Sequence, residues 1–185
     1  MRDVIYIRIA AVSLIFGAVS GIFSAIFSET NIIEAYGAWF PSFYECSETE
    51  IWIKAAFNGP FFSAAVFLIG LFIFGYIFVY PISFYYGYTF GFLIVCAIYC
   101  FGMSALPEII FRLPATISTA WLLCKGTALS VKFSSEAFSG LELYELRTKT
   151  SKYLSRGFGY VFLSTFPMVY EAIFMQKILN LWDSF

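Results

Sequence analysis

A run of 53 residues, from Ala55 to Pro107, contains no aspartate, glutamate, lysine or arginine. One membrane-spanning helix needs about 20 apolar residues, so this run is long enough for two of them. The whole chain of 185 residues is 61% hydrophobic and 12% charged, whereas soluble domains are about one quarter charged. The sequence therefore predicts an integral membrane protein that forms a single membrane domain over residues 1–185.

The apolar segments predict five transmembrane helices. They are continuous runs without the short alternation of a membrane β-barrel, and a helix satisfies its own backbone groups in lipid. We therefore expect an all-α fold, with a short amphipathic helix at residues 31–40 that lies in the membrane interface. The spans are predicted at about residues 4–27, 60–79, 83–103, 115–131 and 157–181, with an external segment at 28–59 and a cytoplasmic loop at 132–156.

Loop charge predicts the orientation. The segment at 28–59 carries a net charge of about −4, and the loop at 132–156 carries about +2. Because basic loops stay in the cytoplasm, the positive-inside rule puts the N-terminus inside and the C-terminus outside. The chain is thus expected to be a multi-pass protein of the cell membrane, in direct contact with the lipid bilayer.

Prolines and tyrosines predict where the chain turns. Tyr80 and Pro81 stand between the second and third predicted spans, among several tyrosines, which prefer the membrane interface. Pro107 and Pro114 bracket a segment that we expect to be broken, just ahead of the fourth span. Pro167 interrupts the fifth span.

Two pairs of glycines stand in apolar segments, Gly17 with Gly21 and Gly87 with Gly91. Glycines four residues apart lie on one helix face and let another backbone approach closely, which supplies helix packing in lipid. Two interpretations stay open for these faces. They pack against a neighbouring helix of the same chain, or they dock a partner chain, including a second copy in an oligomer.

Three charged residues, Glu108, Arg112 and Glu171, lie in or beside the predicted spans. Glu171 is about 14 residues into the last span, or roughly 21 Å deep, where a carboxylate needs a partner or a proton. We predict that Arg112 and Glu171 approach within salt-bridge distance. In the alternative, Arg112 pairs only with Glu108, four residues earlier, and Glu171 is protonated or faces a wet crevice.

The sequence contains none of the arrangements that carry enzyme chemistry. It has no histidine, no phosphate-binding loop and no G-x-S-x-G motif. Cys96, Cys100 and Cys124 stand in apolar segments and are predicted to be packed thiols, whereas Cys46 is alone in a polar loop, free or bonded to another chain. We therefore predict a protein that is not an enzyme and has no cofactor, no metal and no nucleic-acid partner.

Four segments, in order, resemble the stage II sporulation protein M family. They are "LIGLFIFGYIF", the G-x-x-x-G-F core in "YYGYTFGFLI", the two prolines spaced seven apart in "ALPEIIFRLPA", and the acidic position in "VYEAIF". This chain departs from the family pattern at two places. Tyr86 stands where a lysine is frequent in the family, and Glu108–Ile109 stands where a polar amide pair is usual. The residues that carry the resemblance are Gly70, Gly75, Gly87, Thr89, Gly91, Phe92, Leu93, Pro107, Leu113, Pro114, Ala115 and Glu171.

The resemblance implies a five-span membrane scaffold that recruits other proteins, such as cell-wall-remodelling enzymes. The departures are compatible with a distant member that acts outside sporulation. An alternative function is a membrane subunit of a transport complex, such as the partner of the ATPase in an ABC-type exporter. Broken helices and buried acids are typical of translocation paths, and this is the reason for the alternative.

Overall fold

The structure, a computed structural model, describes residues 2–29, 48–139 and 143–182. These residues form helices and no strand, so the prediction of an all-α fold is confirmed for them. The predicted interfacial helix at 31–40 and Cys46 lie outside the described residues. The helices are α1 (Arg2–Ile26), α2 (Glu48–Ala56), α3 (Phe62–Gly70), α4 (Gly75–Phe101), α5 (Leu106–Phe138), α6 (Leu143–Leu163) and α7 (Thr165–Trp182), with a π-helical segment (Phe57–Phe61) between α2 and α3 and a 3₁₀ turn (Gly102–Ala105) between α4 and α5.

Three helical stretches are long and apolar enough to cross a membrane. They are Asp3–Ile26, Gly75–Phe101 and Glu145–Phe174, and a shorter apolar helix covers Gly59–Gly70. Many of their large hydrophobic side chains are exposed, above all in Asp3–Ile26, as expected of helices that are solvated by lipid rather than by water. The molecule therefore fits a membrane-embedded protein with several apolar helices.

Helices α1 and α4 run in parallel, side by side. Ser13 Oγ, in the middle of α1, donates a hydrogen bond over 3.1 Å to the carbonyl oxygen of Tyr80, in the first half of α4. Eight residues further along α4, the Tyr88 hydroxyl donates to Ser24 Oγ over 2.8 Å. Residue numbers thus rise together on both helices, which is the signature of parallel packing.

The four glycines of the two pairs form the contact between α1 and α4, which we call the glycine seam (Gly17, Gly21, Gly87 and Gly91). A Cβ atom added at any of them would collide with a backbone carbonyl oxygen of the facing helix. The backbones therefore touch, and packing within the chain is the correct interpretation. The alternative interpretation, docking of a partner chain on these faces, is wrong because the glycine face of each helix is already covered by the other helix. The carbonyls met are those of Phe84, Tyr88, Leu14 and Ala18, respectively.

The predicted turn at Tyr80–Pro81 is wrong, because α4 continues through it from Gly75 to Phe101. The chain turns earlier, at residues 71–74, after α3 has ended at Gly70. Neighbouring helices can satisfy the backbone groups that a proline frees, so a proline inside a membrane helix does not require a turn. The predicted spans 60–79 and 83–103 are therefore displaced from the helices that form.

The predicted break between Pro107 and Pro114 is also wrong. Helix α5 is continuous from Leu106 to Phe138 and contains both prolines. Pro107 lies in the first turn, where its missing N–H costs no hydrogen bond. Much of the predicted loop at 132–156 is helical too, because α5 and α6 extend into it from both sides.

Ser134 of α5 bonds the backbone of the turn between α3 and α4. Its hydroxyl donates to the carbonyl oxygens of Phe72 at 2.7 Å and Ile73 at 2.9 Å, and it accepts from the backbone N–H of Tyr76 at 3.1 Å. The side chain is fully buried. Because unbonded backbone groups cost several kcal/mol in lipid, one serine on a neighbouring helix stabilises this interruption of the helical backbone.

Tyr153 of α6 extends the same pattern to the end of α3. Its hydroxyl donates to the carbonyl oxygen of Phe67 over 2.7 Å, and Ser130 donates to that of Val66 over 3.1 Å. The Tyr153 ring stacks on Phe67 and Phe133, with centroids 5.3 Å and 4.4 Å away. Hydroxyl groups and stacked rings thus fix α3 between α5 and α6.

Helices α6 and α7 are interrupted at Ser164, three residues before Pro167. A proline in a helix removes the bond to the carbonyl four residues earlier and clashes with it, so the break follows from the sequence. The prediction that Pro167 interrupts the last apolar segment is confirmed. The Ser164 hydroxyl bonds the carbonyl oxygen of Val161 over 2.6 Å at the break.

Alanine at Gly21 or Gly91 should destabilise the protein, although alanine is a better helix former than glycine by about 1 kcal/mol. The added Cβ meets backbone that cannot rotate away, and overpacking of this kind costs about 1–3 kcal/mol or more. The measurement is the midpoint of thermal unfolding in a mild detergent. Gly159→Ala is the matched control because nothing lies within 4 Å of a Cβ there, and it should be neutral or stabilising. Equal midpoints for seam and control variants would contradict the seam.

Candidate functional site

Arg112 of α5 and Glu171 of α7 form a buried ion pair. Arg112 Nε lies 3.5 Å from Glu171 Oε1, and the two side chains are only 12% and 9% exposed. The predicted approach of these two groups is confirmed. Arg112 reaches Glu171 from the continuous helix α5, and not from a broken segment between Pro107 and Pro114.

Polar and aromatic side chains of other helices surround the ion pair. Tyr86 of α4 is buried, and its hydroxyl lies close to the Thr119 side chain and within electrostatic reach of Glu171. Phe62 of α3 packs edge-on against the Tyr86 ring at 5.1 Å. Residues of α3, α4 and α5 therefore form a cluster within electrostatic reach of the Glu171 carboxylate of α7.

Tyr86, which is within electrostatic reach of the pair, lies deep between the ends of α4. Tyr86 is 11 residues after Gly75 and 15 residues before Phe101, the two ends of α4. At 1.5 Å per residue, these separations are roughly 16 Å and 22 Å. The side chains around Glu171 are thus near the middle of a helix that is long enough to cross a bilayer. Ionisable residues at such a depth are rare and usually functional or paired.

Two irregularities of the helical backbone meet next to this site. A Cβ added at Gly59, in the π-helical segment, would lie 3.1 Å from the carbonyl oxygen of Ser164, where α6 ends, and 3.6 Å from Thr119 Oγ1. Thr119 is two turns along α5 from Arg112. The π-helical segment, the α6–α7 break and the ion pair therefore occupy one region of the interior.

The other predicted site residues lie apart from the ion pair. The glycine seam joins α1 to α4 and contributes no side chain to it. Pro107 and Pro114 are exposed, the first at the start of α5 and the second in an apolar groove between α5 and α7. The Glu108 side chain lies outside the described part, so its predicted pairing with Arg112 stays a prediction.

The chemistry of the site is that of one carboxylate, one guanidinium and two hydroxyl groups. Such a set can hold an ion or a proton, or can fix the helices in one arrangement. Of the cysteines, Cys96 and Cys124 are buried and Cys100 is exposed. Within residues 2–29, 48–139 and 143–182, no cluster of acidic and cysteine side chains could hold a metal ion.

The sequence pattern did not identify Tyr86 and Thr119 as members of this site. Tyrosine prefers the membrane interface, but the Tyr86 side chain is 5% exposed inside the bundle. The signal was present in α5, where Thr119, Thr127 and Ser130 recur on one helix face. A polar stripe of this kind on a long helix indicates the face that packs inward.

Comparison with known proteins assigns no family to the chain. It matches no protein-family model, no curated protein and no solved structure. The resemblance to the stage II sporulation protein M family therefore rests on the sequence segments alone.

Neutralising one member of the buried pair should destabilise the protein more than neutralising both. Arg112→Gln or Glu171→Gln leaves a buried charge without its partner, which costs about 3–5 kcal/mol. A double variant should recover part of that loss, with a coupling energy above about 0.5 kcal/mol. The measurement is a double-mutant cycle of unfolding free energies in detergent.

The exposed pair of Asp3 and Lys132 is the control for this cycle. Its Oδ1 and Nζ atoms are 3.0 Å apart, but the side chains are 61% and 46% exposed. Asp3→Asn and Lys132→Gln should each cost less than about 1 kcal/mol. Strict additivity at Arg112 and Glu171 would mean that the two charges do not interact.

Proposed function

We propose that the protein is a five-span membrane scaffold, or assembly subunit, that recruits partner proteins. The observation that carries this proposal is that hydrogen bonds and backbone contacts between the described helices hold them in one arrangement. The resemblance to the stage II sporulation protein M family supports the same role and suggests cell-wall-remodelling enzymes as partners.

The directions of the helices support five crossings. Ser83 of α4 is bonded to Thr127 of α5 over 2.9 Å, whereas Tyr76 is bonded to Ser134, so α4 and α5 are antiparallel. The run from α2 to α3 is about 34 Å long at 1.5 Å per residue, enough for a bilayer core of about 30 Å. Successive segments α1, α2–α3, α4, α5 and α6–α7 then alternate in direction.

The distribution of charge supports the orientation that loop charge predicts. Lys132 near the end of α5 is paired with Asp3 at the start of α1, so both lie at the same end of the bundle. Lys149 of α6 pairs with Glu136 of α5 at that end too, over 3.1 Å. By the positive-inside rule, this basic end belongs in the cytoplasm together with the N-terminus.

The packing of the interior favours a scaffold over a conduit. The cavity enclosed by α3, α5 and α6, beside Ser63 and Gly157, has a volume of about 10 Å³. That volume is at the lower limit for one water molecule. Gly157 itself is packed so closely that a Cβ there would enter the Phe67 ring. A fixed bundle of this kind presents a constant outer surface, which is what a platform for other proteins needs.

The outward face of α1 is a surface available to a partner within the membrane. Helix α1 uses its other face for the glycine seam, and large hydrophobic side chains along its length remain exposed. Lipid or a partner span must cover them. They include Val4, Ile5, Ile9, Val12, Ile15, Phe16, Val19, Ile22 and Phe23.

A second candidate function, a membrane subunit of a transport complex, is favoured by one observation. The Arg112–Glu171 pair lies beside a π-helical segment and a helix break that touch each other at Gly59 and Ser164. Transporters place interrupted helices and buried charges at their substrate sites. Under this hypothesis the pair would open during a cycle that a partner ATPase drives.

The two functions predict different partners in a purification from native membranes. The protein, tagged and extracted in a mild detergent, should retain cell-wall-remodelling enzymes if it is a scaffold. The measurement is quantitative mass spectrometry against an unrelated multi-pass protein with the same tag. Enrichment of an ATPase would support the transport subunit instead. A preparation that contains no protein above the control would contradict both proposals.

A further inference from the structure

A basic groove lies between α1, α5 and α6 at the end of the bundle where α1 begins. It has a volume of about 440 Å³ and is open on one side. Two acidic residues, Asp3 and Glu136, also line it, so the basic residues are in excess by three. Those basic residues are Lys125, Lys132, Lys149, Lys152 and Arg156.

Three of the five positive charges have no carboxylate partner among the residues that the structure describes. Lys132 pairs with Asp3, and Lys149 pairs with Glu136. Lys125, Lys152 and Arg156 form no such pair. Three cations that converge on one concave surface repel each other, and an anion bound between them would relieve that repulsion.

An apolar groove continues from the basic one along the same two faces. It has a volume of about 680 Å³ and lies between α5 and the α6–α7 segment. On α5, Pro114, Ser118 and Trp121 lead at helical spacing to Lys125. On the other side, Pro167 and Leu163 of the apolar groove lead to Tyr160 and Arg156 of the basic one.

Trp121 and Lys125 mark the junction between the two grooves. Lys125 Nζ lies 5.3 Å from the centroid of the Trp121 ring. The tryptophan belongs to the apolar groove and the lysine to the basic one. Tryptophan beside a cation is the pairing found where acyl chains meet head groups. The groove surface thus changes from apolar to basic over about one helical turn. A phospholipid changes in the same way from its acyl chains to its charged head group.

We propose that this continuous groove binds an anionic phospholipid. The phosphate of the head group lies between Lys125, Lys152 and Arg156, and the acyl chains follow the apolar groove past Trp121 and Phe166. Basic pockets between membrane helices on the cytoplasmic side bind anionic head groups in this way. A free phosphate ion would fill the basic groove alone and would leave the exposed apolar groove unexplained.

The proposal goes beyond the scaffold role and does not depend on it. It requires only that the helices are embedded in a membrane. A lipid in this position would join α5 to α6 and α7, and so would stabilise the part of the bundle that the glycine seam does not reach. Loss of partner proteins in a purification would leave this proposal unaffected.

Lipid binding is testable by native mass spectrometry of delipidated protein in detergent. Phosphatidylglycerol and phosphatidylcholine with identical acyl chains are added in turn, and the lipid-bound fraction is measured. Phosphatidylglycerol should bind at least roughly tenfold more tightly than phosphatidylcholine. The double variant Lys152→Gln with Arg156→Gln should remove most of this preference, because each cation near the surface strengthens the binding of an anionic lipid by about five- to tenfold. Both side chains are exposed, so the double variant should fold.

Arg147→Gln with Lys177→Gln is the matched control. It removes the same charge from exposed positions that do not line the groove, and it should bind phosphatidylglycerol like the unmodified protein. Equal binding of both lipids, or an equal loss in control and groove variants, would overturn the proposal. Inorganic phosphate that raises the thermal midpoint as much as phosphatidylglycerol does would also overturn it, because the site would then bind a free anion.

Discussion

The contact between the backbones of α1 and α4 is the constraint on which the rest of the bundle depends. In lipid, apolar side chains gain little by leaving the solvent, so close packing has to supply the attraction between helices. The glycine seam allows this along two turns of both helices. Since α4 continues through a turn into α5, its position beside α1 also sets where the buried face of α5 lies.

Hydroxyl groups on α5 add hydrogen bonds to the packing that the glycine seam provides. The chain interrupts its helices at residues 71–74 and at Ser164, and each interruption frees backbone groups. Ser134 and Ser130 bond carbonyl oxygens around the first interruption, and Ser83 bonds Thr127 between α4 and α5. Hydrogen bonds from this polar stripe of α5 therefore stabilise the interrupted backbone at residues 71–74.

Sequence patterns predicted contacts better than they predicted turns. The spacing of the glycine pairs identified the packing faces, and the cost of a buried carboxylate pointed to Arg112 as the partner of Glu171. The turn at Tyr80–Pro81 was wrong because proline and tyrosine are also compatible with a helix interior whose neighbours supply hydrogen bonds. The spacing of two glycines does not determine which other pair they pack against, or whether the two helices are parallel or antiparallel. Both depend on the topology of the whole chain.

The parallel arrangement of α1 and α4 is tested most directly by distances between spin labels in a cysteine-free variant. Labels replace Ile9 on α1 and either Ile77 or Tyr99 on α4, all of which are exposed. Ile77 and Tyr99 are roughly 33 Å apart along the helix at 1.5 Å per residue. Parallel packing predicts that the Ile9–Tyr99 distance exceeds the Ile9–Ile77 distance by more than about 10 Å. Equal distances, or the reverse order, would contradict it.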